Sequence, residues 1–93
     1  MKLDKIIGLA YNMLSFAMSE KEILKETRAV WLFGSSVREE TSKESDIDIF
    51  FDCDEERGDI IKKIAMKSLD LFYKSQDYQK WKILGIKNNI SIL

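Results

Sequence analysis

Ala29-Val30-Trp31-Leu32-Phe33-Gly34-Ser35, then ten residues, then Asp46-Ile47-Asp48-Ile49-Phe50-Phe51-Asp52: the reading of this chain turns on that stretch. The five apolar residues before Gly34 predict a short buried strand. The second run alternates instead. Ile47, Ile49 and Phe51 fall on one side of a strand, and Asp46, Asp48 and Asp52 fall on the other beside Phe50. Aspartate is a poor strand former, and two of them at i and i+2 stand ~6–7 Å apart on one face. They repel each other unless positive charge sits close by. The plain alternative is a half-exposed strand with an acidic solvent face. Gly34-Ser35 closes the first strand where the chain turns polar, a junction that aims free N–H groups at an anion and lets a phosphate approach closely. Its plain alternative is a capping box, Ser36 with Glu39.

Composition narrows the chemistry. The chain has 93 residues, enough for one domain spanning 1–93 but not for two independent cores. It contains no histidine, so Ser-His-Asp and Cys-His catalysis are excluded. One cysteine, Cys53, gives neither an internal disulfide nor a Cys/His zinc site. Flanked by acids, its thiol is not expected to be reactive. What is left is oxygen chemistry, and paired aspartates then point to a hard cation, Mg²⁺ or Mn²⁺. Fifteen Lys and Arg against sixteen Asp and Glu leave a net charge of -1, which argues against a nucleic-acid or anionic-membrane binder held by bulk charge. No apolar run reaches the ~18–20 residues of a bilayer span, and Met1-Lys2-Leu3-Asp4-Lys5 does not open a signal peptide. The expected location is the cytoplasm.

Outward from the two strands, Leu3, Ile6, Ile7, Ala10, Leu14 and Ala17 predict an N-terminal helix, slightly weakened by Gly8. Ser19 with Glu22 reads as the capping box of a second helix running to about Glu26. Residues 36–44 are polar and predict a turn or two of helix and a loop. From Asp59 the stripe Ile60, Ile61, Ile64, Ala65, Leu69 and Phe72 is helical again. Two β-like pieces, Lys82–Ile86 and Ile90–Leu93, follow around a turn at Asn88-Asn89. The expected fold class is α/β (α+β), a small mixed sheet of three to four strands flanked by helices.

Gly34-Ser35, ten residues, then Asp46-Ile47-Asp48, set on two apolar strands, resembles the nucleotidyltransferase superfamily related to DNA polymerase beta, most closely its minimal stand-alone prokaryotic members. The resemblance covers about residues 28–54. It implies a polymerase-beta-like core in which Mg²⁺ held by Asp46 and Asp48 grips the triphosphate of an NTP, with ATP the expected substrate, and Gly34 and Ser35 cradle the phosphates. A nucleotidyl group passes to an acceptor hydroxyl or phosphate and pyrophosphate leaves. It further implies a helical HEPN-type partner protein, modified with AMP by the chain acting as antitoxin, or a homo-oligomer. Two departures stand out. Glu39 occupies a place where the family has a small residue. No third carboxylate is recognisable either: Asn89 or Ser91 takes its place, Asp52 sits at the strand end, and Asp70 and Asp77 lie in helical or loop sequence. The competing reading is therefore a catalytically impaired module that keeps the fold and acts by binding a partner. A third is the catalytic-domain fragment of a longer chain.

The remaining candidates have bland readings. Arg38 and Lys62, Lys63 and Lys67 are solvated cations, Trp31 is core, and Trp81, Tyr73 and Tyr78 pack the last helix on the sheet. Asp52-x-Asp54-x-Glu56 lacks the Gly and Glu that a calcium loop needs.

Overall fold

The computed structural model describes residues 2–33, 47–86 and 89–93. In chain order these form α1 (Lys2–Met18), α2 (Lys21–Glu26), β1 (Ala29–Phe33), β2 (Ile47–Asp52), a 3₁₀ turn (Glu55–Arg57), α3 (Gly58–Tyr73), α4 (Gln76–Ile83) and β3 (Ile90–Ile92). The strands lie in the order β1-β2-β3. β1 runs antiparallel to β2, and β3 runs parallel to it. An α+β domain with a three-stranded mixed sheet is what the sequence predicts.

Burial along β2 follows the period of two: Ile47, Ile49 and Phe51 are buried. They join Ile90 and Ile92 of β3, Ile6, Leu9, Ala10, Met13 and Ala17 of α1, Ile23 of α2, and Ile61, Ala65, Leu69 and Phe72 of α3 in one core. The helices thus cover one face of the sheet. The opposite face carries Trp31, Asp48, Phe50 and Asp52, none of them fully buried. Trp31 is therefore not core. It stands directly across from Phe50 on the open face, because a strand with only one covered face must turn alternate residues outward.

Several local expectations give way in the structure. Ser19 does not cap α2. Its Oγ donates to the Phe16 carbonyl at 2.6 Å, and the cap residue is Glu20, which makes no side-chain cap bond. Lys82–Ile86 is not a strand but the end of α4 and its exit. Ser75 caps the start of α4, accepting from the Tyr78 N–H at 3.3 Å. At the other end Gly85 takes φ +85°, its N–H bonds the Lys82 carbonyl, and the Ile86 N–H bonds the Trp81 carbonyl. That pair of bonds is a Schellman motif, and glycine suits its left-handed position. Lys82–Ile86 thus offers β3 no partner strand, and β3 pairs with β2 instead; Asn88 lies outside the described residues, and the Asn89 carbonyl accepts from Ile47 N–H. Finally, Ile60 at the start of α3 is exposed, one step off the buried stripe.

Trp81 and the tyrosines do pack, but Trp81 seats α4 on α1 rather than on the sheet. Trp81 Nε1 donates to Asn12 Oδ1 at 2.8 Å, and Asn12 Nδ2 donates to Asp77 Oδ2 at 3.0 Å, tying α4 to α1. Gly8 is the reason that α4 can come so close: a Cβ there would lie 2.9 Å from the Trp81 ring. The ring is held by its bond to Asn12 and cannot swing aside cheaply. Gly8→Val should therefore destabilise the domain by about 1–3 kcal/mol through overpacking, read as a lower denaturant midpoint at unchanged slope. No helix among the described residues is long and apolar enough to cross a membrane.

Candidate functional site on the open sheet face

The sheet register builds this face pair by pair. Across β1 and β2, Phe33 stands opposite Asp48, Trp31 opposite Phe50, and Ala29 opposite Asp52. On the other side of β2, Asp48 stands beside Ser91 of β3. Asp48 is half-buried in the middle strand, with neighbours on both sides fixed by backbone pairing. A carboxylate so placed is rigidly aimed and still reachable from solvent. Asp46, Gly34 and Ser35, like Ser36, Arg38 and Glu39, lie outside the described residues.

The register also sorts the candidates for a further carboxylate. Asp52 is four residues from Asp48, ~13 Å along the strand. It is engaged by Arg28, whose guanidinium reaches Asp54 Oδ1 at 2.6 Å and Asp52 Oδ1 at 3.2 Å. The bond to Asp54, and then that to Asp52, hold the Arg28 pKa above the usual arginine range. Asp52 and Asp54 therefore clamp the far end of the β1–β2 pair and form no calcium loop. Asp70 pairs with Lys74 on exposed α3 surface, and Asp77 serves the α1–α4 contact. Of Asn89 and Ser91, Ser91 is the one beside Asp48. Among the described residues, no group of three or more His, Cys, Asp or Glu could hold a metal ion. A cation at this face would rest on the Asp48 carboxylate, an oxygen donor, which suits Mg²⁺ or Mn²⁺ better than a softer metal.

A hollow of about 390 Å³ opens at the other end of β2, lined by Phe50, Phe51, Cys53, Ile61, Lys62 and Ile92 among others; Asp48 does not line it. Nearby, Arg57 pairs with Glu22 at 3.2 Å and Glu26 at 3.6 Å, joining the 3₁₀ turn to α2.

Sequence reasoning placed Asp48 and Phe50 on the exposed face of β2 but missed Trp31. A run of five apolar residues carries no alternation, so only the pairing with β2 shows which of them face outward.

Neither the curated proteins nor the solved structures contain a match to this chain. The family described as Polymerase beta, Nucleotidyltransferase matches residues 16–92, from the end of α1 to the end of β3. That span holds most of the chain, including the full sheet and both sequence motifs. With Asp48 on the open face of a mixed sheet whose other face is sealed by helices, the chain belongs to the polymerase beta-like nucleotidyltransferase family.

Proposed function

We propose that the chain transfers a nucleoside monophosphate from an NTP, ATP first among them, to an acceptor hydroxyl or phosphate, using Mg²⁺ or Mn²⁺. Its family membership supports a nucleotidyltransferase-type function; the donor, the metal and the acceptor are the proposal. The observation that carries it is Asp48, held rigidly between Phe33 and Ser91 on the uncovered face. In the reaction, the acceptor oxygen bonds to the α-phosphorus and the bond from that phosphorus to the bridging oxygen breaks, releasing pyrophosphate. The metal, when bound, neutralises charge developing on the phosphate oxygens. Asp48 and Asp46 would hold it, and Gly34 and Ser35 would cradle the phosphates. Ser91 is too weak a base to take the acceptor's proton, which then goes to solvent or to a group of the acceptor itself.

That no third carboxylate stands beside Asp48 among the described residues favours one competing reading: a module that keeps the nucleotide site but acts by docking on a partner. A HEPN-type helical partner, modified by the chain as an antitoxin, follows from the family resemblance alone, as does a homo-oligomer. The cytoplasm is the fitting compartment for a chain whose one thiol, Cys53, is free. Calorimetric titration of each NTP, with and without Mg²⁺, tests the reading. Wild type should bind only with Mg²⁺, and Asp46→Asn/Asp48→Asn should not bind. No binding to any NTP by the folded wild type would refute it.

A further inference from the structure

We propose that Trp31 and Phe50 are the surface on which the base of the bound NTP stacks, an inference that rests on the nucleotidyl-transfer reading above. The two residues face each other across β1 and β2 and remain 55% and 39% exposed. Large aromatic side chains left to water on a sheet face gain little from folding, whereas Phe16, Phe72, Tyr73 and Tyr78 are packed ring against ring. Among the described residues neither Trp31 nor Phe50 is stacked on another ring, and both keep surface open to solvent.

Their position identifies the occupant. The pair lies one step along the sheet from Phe33 and Asp48. Phe50 is therefore ~6–7 Å from Asp48 along the same face, the length of a single ribose. A nucleotide with its phosphates at an Asp48-bound cation sets its base over Trp31 and Phe50. The next pair, Ala29 and Asp52, is closed by the Arg28 clamp, so the surface has room for one base. Such stacking tolerates any base, since each has a π-face. The site should then accept all four NTPs with a modest preference for purines.

The test uses the whole chain with Mg²⁺ and two probes, ATP and inorganic tripolyphosphate, which has the phosphates but no base. Wild type should bind ATP about 10-fold or more tightly than tripolyphosphate, from the usual worth of base stacking, and ATP should quench tryptophan fluorescence. Trp31→Ala/Phe50→Ala should bring ATP down to the tripolyphosphate level and leave tripolyphosphate unchanged. Trp31→Tyr should keep most of the preference. Equal binding of the two probes by wild type would overturn the stacking surface and leave the phosphate site standing. ATP affinity unchanged in the double variant, or tripolyphosphate binding lost with it, would overturn the surface too. Failure of wild type to bind either probe would overturn both readings.

Discussion

Asp48→Asn is expected to cut Mg²⁺-dependent nucleotidyl transfer at least ~10³-fold while the melting temperature stays within about 2 °C of wild type. A cation that stabilises phosphoryl charge supplies several kcal/mol, and each ~1.4 kcal/mol is a factor of ten in rate. Asparagine keeps the shape but removes the charge that would hold the cation. The fold should not notice. Asp48 makes no ion pair among the described residues, and it lies on the face the helices leave open. Pyrophosphate release and circular dichroism melts, measured on the same preparations, separate the two effects. Transfer that survives the change would move the chemistry elsewhere, and partner binding unaltered by it would favour the docking module.

Phe72→Ala should do the reverse, destroying the fold first. Phe72 is fully buried, with ring centroids 5.3 Å from Phe16, 5.5 Å from Tyr78 and 6.2 Å from Tyr73. Truncating a buried phenylalanine costs ~3–5 kcal/mol, against a total of ~5–14 kcal/mol for a domain of this length. The melting temperature should drop by ~12 °C or more, measured by circular dichroism. A drop under ~5 °C would mean that the cluster is not the centre of the core. The loss also reaches the site. Tyr73, packed on Phe72, accepts the Ile90 N–H at 2.8 Å through its hydroxyl, and Ile90 precedes Ser91 on the strand beside Asp48. Loosening the cluster releases the start of β3.

How far the sequence could be read depended on whether local pattern or distant pairing decided each element. β2 announced itself, because Ile47, Ile49 and Phe51 alternate with Asp48 and Phe50 and nothing nearby competes with that signal. α3 was legible from its stripe for the same reason. Lys82–Ile86 was not, since a short apolar run fits a strand and a helix end alike; the deciding cues were Ser75 ahead of it and Gly85 within it. Ser19 looked like a cap because the box spacing was right, but its hydroxyl closes the end of α1 instead. Of the candidate site, the place of Asp48 on the outward face of β2 was legible, because the alternation there is unambiguous. Trp31 was hidden, because an exposed tryptophan has no mark in sequence distinguishing it from a core one.

β2 is covered on one face only, and this divides the pressures acting on it. Exchanging Ile47, Ile49 or Phe51 alters how much folded protein a cell retains. On the proposed reading, exchanging Asp48 or Phe50 should leave that amount alone and alter what the protein does. If that reading holds, abundance and activity are governed by alternate letters of one six-residue word, Ile47–Asp52. New substrates could be explored on the odd-man-out side of the strand without endangering the molecule that explores them.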